Sequence, residues 1–183
     1  MRTFVSLDIP EETKREIHDR YVNGMDFLNP PKDMHLTLLF IESIRNEDVA
    51  EVSKAVEHLC CNKNAFLVSV CGAGEFGGGR VVFLKVTNGF DKIIDLHSAL
   101  CEEIEHTIKL AYEERAFFPH ITFGRPSHKD RKLAVEYVKK DEWPEINFLC
   151  GGLSFFESRN EKGGYVHILI SASAFSPVVR QQP

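Results

Sequence analysis

The chain has 183 residues with a net charge of −5, an apolar fraction of 43% and a charged fraction of 27%, which predicts a single domain over residues 1–183. The acidic balance argues against broad coating of nucleic acid, which needs many Lys and Arg contacts to phosphates, but it allows a small basic pocket. With no C-x-x-C pair, no signal-peptide pattern and no apolar run near the roughly 20 residues of a membrane span, we expect a cytoplasmic protein with free thiols and no membrane partner.

Strands and helices are predicted to alternate along the chain. In order, they are a strand over residues 2–7, a helix from Asp8 to about Tyr21, a strand over 34–41, a helix from Asn46, strands over 65–70 and 81–86, a helix over 90–108, a strand over 118–124, a short helix from Ser127, and strands over 146–156 and 165–172. Asp8 followed by Glu11 resembles a helix capping box, and the glycine-rich stretch 72–79 is typical of a hairpin turn. This order indicates an α+β fold rather than a doubly wound parallel sheet.

One short pattern occurs twice, once near the middle of each half. It reads His-Leu-Thr-Leu at residues 35–38 and His-Ile-Thr-Phe at residues 120–123. Because residues i and i+2 of a strand share a face, the histidine and threonine of each copy point the same way, and the apolar residues point into packing. Two such strands facing one groove would present two imidazoles and two hydroxyls to a single ligand. Two similar lobes would explain the repeat.

Two imidazoles in one groove suit the cleavage of a phosphodiester. One histidine must be neutral to take a proton from water, and the other must be protonated to give one to the departing sugar oxygen. An imidazole titrates near pH 6.5, so both forms are accessible at neutral pH. His35 and His120 are therefore the candidate catalytic residues. The scheme requires no metal and no cofactor.

Hydroxyls and arginines near the signatures are candidate phosphate ligands. Thr37 and Thr122 can donate hydrogen bonds to non-bridging phosphate oxygens. Arg125, just after the second signature, offers a planar fork to the same oxygens. Arg115, before His120, and Arg80, after the glycine-rich stretch, are further candidates.

Other readings of these residues are weaker. A zinc site is disfavoured because no Asp, Glu or Cys stands at ligand spacing from the two histidines, and the run Gly77-Gly78-Gly79 lacks the Lys of a Walker loop. Phe76, Phe83 or Phe156 could stack on a base. The remaining histidines are expected to be core or solvated, and the sequence leaves open whether His167, on the last hairpin, faces the groove.

With these motifs, the sequence resembles the 2H phosphoesterases, and within them the RNA 2′,3′-cyclic phosphodiesterases, historically called 2′-5′ RNA ligases. The resemblance covers nearly the whole chain. Its segments are FVSLDIPEETK at residues 4–14, MHLTLLF at 34–40, ERAFFPHITFGR at 114–125 and LSFFESRNEKGGYVHI at 153–168. It implies a bilobal fold, in which two antiparallel sheets related by a pseudo-twofold axis enclose a central groove, with helices outside.

The resemblance also implies a role for each matched residue. His35 would be the proton donor to the leaving 3′ oxygen, and His120 the proton acceptor from water, so that the product is a 2′-phosphomonoester. Thr37, Thr122 and Arg125 match phosphate-binding positions. The expected partner is an RNA with a 2′,3′-cyclic phosphate end, with tRNA fragments among the candidates, and we expect a monomer.

Two alternatives stay open beside hydrolysis. The reverse reaction would join a cyclic phosphate end to a 5′ hydroxyl and make a 2′-5′ linkage, although this acidic chain offers little to hold two RNA ends together. A non-catalytic module would bind RNA or a nucleotide without consuming it. The sequence also departs from its relatives at the glycine run 77–79, where proline is common, and this puts the role of Arg80 in doubt.

Overall fold

Strands and helices alternate as an α+β fold, as predicted. The computed structural model describes residues 1–108, 116–162 and 164–176. The strands are β1 (Thr3–Leu7), β2 (Leu36–Ile41), β3 (Phe66–Phe76), β4 (Val81–Asn88), β5 (His120–Gly124), β6 (Ile146–Cys150), β7 (Gly152–Glu161) and β8 (Gly164–Ala174), and the α-helices are α1 (Glu11–Ile17), α2 (Val49–Cys61), α3 (Phe90–Thr107) and α4 (Arg131–Tyr137). Among the described residues, no helix is long and apolar enough to cross a bilayer.

The strands form two four-stranded antiparallel sheets. The first has the order β2-β1-β7-β8, and the second has the order β5-β4-β3-β6. The two signature strands, β2 and β5, thus occupy equivalent edge positions, and they contact each other. The first sheet joins strands from both ends of the chain, so each lobe is not simply one half of the sequence. This arrangement confirms the bilobal fold that the resemblance implied.

The predicted strand over residues 146–156 is wrong, because the chain passes from one sheet to the other within it. β6 ends at Cys150 and β7 starts at Gly152. A side chain could not be fitted at Gly152, where a Cβ atom would lie 2.5 Å from the carbonyl oxygen of Ser173. The run reads as one strand because the residues on both sides of the break face apolar cores. The chain therefore has eight described strands where the pattern indicated seven.

The predicted capping box at Asp8 is also wrong. The residue that precedes α1 is Pro10, and no side chain caps the helix. The carboxylate of Asp8 instead accepts a hydrogen bond from the hydroxyl of Ser154 on β7, at 2.6 Å. α1 ends at Ile17, and one turn of π-helix over His18–Val22 completes the predicted helical segment. Asp8 thus links β1 and β7 rather than stabilising the helix.

The hairpin between β3 and β4 has a shorter turn than predicted. β3 continues through Phe76, so the turn covers only residues 77–80. Gly74 lies opposite Phe83, and a Cβ atom at Gly74 would lie 2.5 Å from the Phe83 ring. The glycine therefore lets that ring lie across β3, where it stacks on Phe76 at 4.2 Å between centroids.

The apolar residues of both signatures lie in the core, as predicted. Leu36, Ile121 and Phe123 are fully buried, and Leu38 is 2% exposed. Burial of each such side chain contributes roughly 1.5–3 kcal/mol to folding. Because neighbouring side chains of a strand alternate between faces, this packing holds the histidine and threonine of each signature on the opposite face.

Candidate active site

The two signatures meet where the edge strands of the two sheets face each other. His35 immediately precedes β2, and His120 is the first residue of β5. Thr37 lies opposite Ser6 of β1, and Thr122 lies opposite Phe83 of β4. Both threonines are half-buried. Since β2 and β5 contact each other, the two signatures adjoin where the lobes meet, and we call this region the histidine groove.

His120 is oriented by a backbone carbonyl. Its Nδ1 lies 2.7 Å from the carbonyl oxygen of Phe118, and since a carbonyl only accepts, Nδ1 carries the proton of this bond. The Nε2 of the neutral ring is then a free acceptor. Burial lowers the pKa of His120 below its usual 6.5; the Phe118 carbonyl opposes this shift, and the charge of Arg125 adds to it. The ring is thus neutral near pH 7 and can take a proton.

Aromatic rings surround His120 on the groove face of the second sheet. The ring centroids of Phe76 and Phe83 lie 5.2 and 5.3 Å from that of His120. Phe118 lies within 6.1 Å of Phe76 and 5.7 Å of Phe83. Edge-to-face contacts of this kind each contribute about 0.5–1.5 kcal/mol. Phe83 is buried, whereas Phe76 and Phe118 are 42% and 44% exposed, so part of each of these two rings is accessible to a ligand.

His35 lies on the first sheet in a drier environment than His120. Its ring stacks on Phe4 at 4.8 Å between centroids, and its buried Nδ1 has no hydrogen-bond partner among the described residues. The pKa of His35 falls to about 4, first because of burial and then because of the charges of His167, Arg125 and Lys14, while Asp33 opposes the fall. His35 is therefore neutral at pH 7 before any anion binds.

Arg125 is held in place through its backbone by the segment that precedes β2. Its N–H donates to the carbonyl of Leu28 at 2.7 Å and to that of Asn29 at 3.2 Å, and the side-chain amide of Asn29 donates to the Arg125 carbonyl at 3.1 Å. Arg125 is exposed as a residue, partial burial lowers the pKa of its guanidinium, and this group forms no ion pair with any described residue. Its charge lowers the pKa values of His35, His120 and His167, so it acts on all three imidazoles.

α3 supports both signatures through one histidine. The Nδ1 of His97 donates to the carbonyl of Leu38 in β2 at 2.7 Å. Its ring stacks on Phe117, three residues before His120, at 4.0 Å between centroids. His97 therefore links β2, the edge strand of the first sheet, to the segment that leads into β5 of the second sheet. It is half-buried, which agrees with its position on an apolar helical face.

A cavity of about 210 Å³ adjoins His35 on the side of α1. It is lined by Ser6, Leu7, Asp8, Ile9, Glu11, Lys14, Asp33, Met34, His35, Ser154 and Phe156. An ion pair of 2.6 Å joins Lys14 to Asp33 at this cavity, and burial raises the pKa of Asp8. The space is large enough for several water molecules or a small polar group beside His35.

The structure gives the positions of the predicted site residues except Arg115. His35, Thr37, His120 and Thr122 belong to the two adjoining signatures, and Arg125 directly follows β5. Arg115 lies outside the described residues, and Arg80 is exposed in the turn between β3 and β4. Of the aromatic candidates, Phe83 is buried and Phe156 stacks on Phe4 at 5.2 Å.

Several residues of the groove were missed or left open by the sequence. Phe4, Phe118 and Ser154 have no motif of their own, and their place depends on which strands pair. The one sequence feature that raised the question of whether His167 faces the groove was its position on the last predicted hairpin. The ring of His167 is 5.1 Å from that of His35.

Comparison with known proteins now identifies the family. The sequence profile of the 2′-5′ RNA ligase superfamily matches residues 14–162. The chain belongs to the 2′-5′ RNA ligase superfamily. A relative from Thermotoga maritima named RNA 2′,3′-cyclic phosphodiesterase is 34% identical across 96% of this chain and 96% of its own length. One of the same name from Thermus thermophilus is 28% identical across 81% of this chain and 79% of its own length. The resemblance noted from the motifs is confirmed.

Solved structures of the superfamily share this fold. E. coli LigT complexed with 3′-AMP matches with a TM-score of 0.76 and 21% identity, covering 96% of this chain and 98% of LigT. LigT in its apo form matches with a TM-score of 0.75 over 96% of this chain and 97% of LigT. The match over both lobes agrees with the two-sheet architecture described above.

Proposed function

We propose that this member of the 2′-5′ RNA ligase superfamily hydrolyses the 2′,3′-cyclic phosphate at an RNA end to a 2′-phosphomonoester. The observation that supports this most directly is the pair of half-buried histidines, His35 and His120, at the starts of two equivalent edge strands, with the charge of Arg125 acting on both. Relatives over nearly the whole chain are named RNA 2′,3′-cyclic phosphodiesterase. The protein is thus an enzyme that acts on phosphodiesters.

The two histidines divide the proton transfers between them. Nε2 of His120 takes a proton from water, and the water oxygen forms a bond to phosphorus. The bond between phosphorus and the 3′ oxygen breaks, and His35 gives that oxygen a proton, which leaves the phosphate on the 2′ oxygen. The bond from His120 to the Phe118 carbonyl supports the acceptor role, because it keeps Nε2 unprotonated in the neutral ring.

Three donors would hold the phosphate between the histidines. The hydroxyls of Thr37 and Thr122 share the groove face with the imidazoles, and Arg125 contributes a positive charge. Negative charge on the non-bridging oxygens builds up as water attacks, and preorganised donors stabilise it most in that state. The cavity beside His35 leaves room for the sugar whose oxygen takes the proton.

The base of the terminal nucleotide would stack on the exposed rings near His120. Phe76 and Phe118 are partly solvent-accessible and their rings contact each other near His120, and base–aromatic stacking is worth about 1–3 kcal/mol with little sequence preference. An acidic chain is suited to an RNA end, held by a few cations such as Arg125, rather than to a long duplex. We therefore propose single-stranded RNA ends, such as those of tRNA fragments, as substrates, and a monomer as the active form.

Product analysis tests this proposal. An RNA oligonucleotide with a 2′,3′-cyclic phosphate end is incubated with the chain in the presence of a chelator, and the 2′- and 3′-phosphate products are separated by chromatography. We expect the 2′-phosphate alone. A 3′-phosphate would overturn the assignment of the leaving oxygen. Adding an RNA with a 5′ hydroxyl tests ligation by the appearance of a joined product, and binding without turnover would indicate the non-catalytic alternative.

Arg125 is expected to contribute strongly to that turnover. Arg125→Ala removes the cation that acts on all three histidines and should lower kcat/KM by about 10²-fold. Arg125→Lys should recover only part of the loss, because an ammonium group lacks the planar fork. The matched control is Arg45→Ala, since Arg45 is exposed and pairs with Asp48 at 2.7 Å. Equal activity of the Arg125 and Arg45 variants would contradict a phosphate-binding role.

A further inference from the structure

A third histidine lies against the first one. His167 is on β8, opposite Ser158 of β7, on the same sheet face as Phe4 and Phe156. Its ring meets that of His35 edge-on, with centroids 5.1 Å apart and an interplanar angle of 88°. The ring of Phe4 contacts both, at 4.8 Å from each. The three rings form one packed unit, which we call the Phe4 triad.

The Nδ1 atom of His167 makes no hydrogen bond with a described residue in this packing. The atom is buried, and the same is true of the Nδ1 of His35. A buried polar atom without a partner costs about 1–3 kcal/mol. A phenyl ring would make the same edge-on contact without this cost. An imidazole at this position therefore points to a role that depends on its nitrogen atoms.

We propose that His167 is a positioning residue of the histidine groove, which fixes the ring of His35 against Phe4 and limits how readily His35 accepts a proton. The inference concerns the site of the proposed function and rests on it for its kinetic consequences. It does not require His167 to touch the substrate. Its effect is exerted through His35.

The charge environment supports this coupling. The charge of His167 acts on His35, and the charges of Asp33, which precedes β2, and Arg125, which follows β5, act on both rings; Lys14 of α1 acts on His35 as well. Burial lowers the pKa of His167, and after burial the charge of His167 is the largest influence that lowers the pKa of His35. Two imidazolium rings this close repel each other, so the pair binds its protons in two separate steps.

A titration of His35 tests the inference without any need for turnover. The ring signals of His35 are followed by NMR against pH in the parent chain, in His167→Phe and in His167→Asn. Both variants remove the charge of position 167, so the midpoint of His35 should rise by about one pH unit in each. His106→Asn, which changes an exposed histidine at the end of α3, should leave the midpoint unchanged.

Steady-state kinetics of the two variants distinguish the effect of the ring at position 167 from the effect of its charge. His167→Phe keeps an aromatic edge against His35, so kcat at its optimum should stay close to that of the parent, while the acidic limb of the kcat/KM profile moves to higher pH. His167→Asn loses the ring as well and should lower kcat about tenfold. KM should change little in either variant, because substrate contacts remain.

Two results would overturn the inference. One is a His35 midpoint that stays unchanged in both folded variants, whatever their activity. The other is a His167→Phe variant whose profile matches that of the parent, which would show that position 167 acts by packing alone. If the chain fails to hydrolyse cyclic phosphates but the midpoint rises as expected, the proposed function fails and the coupling of His167 to His35 stands.

Discussion

Replacement of either His35 or His120 by Ala is expected to lower kcat/KM toward an RNA 2′,3′-cyclic phosphate by about 10³-fold or more. Each variant removes one of the two proton transfers. Without His120, water must attack without a base, and without His35, the 3′ oxygen must leave as an alkoxide. Both variants are expected to fold, since among the described residues the Nδ1 of His35 has no hydrogen-bond partner and the only polar contact of His120 is the one to the Phe118 carbonyl.

The losses of activity in the two single variants should not add in the double variant. Because both histidines act in one concerted displacement, the double variant should be about as slow as the slower single variant. Activity is measured by chromatography of the product in the presence of a chelator, and folding is checked by thermal denaturation. His18→Ala, at an exposed histidine outside the groove, is the control. Near-parent turnover in either groove variant would refute two-histidine catalysis.

Local sequence patterns were enough to identify the two signatures and to predict which face of each strand carries the histidine and the threonine. Alternation along a strand is a property of the backbone, so the shared face of His35 and Thr37 follows from their spacing alone. The burial of Leu36 and Ile121 confirms the direction of the apolar faces. The order of strands within each sheet came from the family resemblance, because spacing does not say which strands pair.

The features that were missed depend on contacts between distant parts of the chain. The break at Gly151 is invisible in an apolar run whose two parts pack in different cores. Asp8 has the spacing of a helix cap, but Ser154, far along the chain, offers it a stronger partner at 2.6 Å. The approach of His167 to His35 requires β1 and β7 to lie between their strands, which is a matter of sheet order.

The pH dependence of kcat/KM should have its maximum at acidic pH. Burial is the main cause that lowers the pKa values of both histidines, to about 4 for His35 and below 6.5 for His120. Turnover needs a proton on His35 and none on His120, so the productive form carries one proton over the pair. That form is most abundant between the two pKa values. We therefore expect kcat/KM to be highest between the pKa of His35, about 4, and the lowered pKa of His120, on the acidic side of pH 6.5, and to fall on both sides.

The sign of each limb follows from the proton count. Below the pKa of His35 the pair gains a second proton and the base is lost, and above the pKa of His120 the pair has no proton to give. The pH dependence of kcat should lie at higher pH than that of kcat/KM, because the negative phosphate favours the protonated form of nearby histidines in the complex. Initial rates at limiting and saturating RNA, with circular dichroism at each pH to confirm folding, measure both profiles. A kcat/KM maximum above about pH 7 would mean that the free histidines hold protons more tightly than their burial allows.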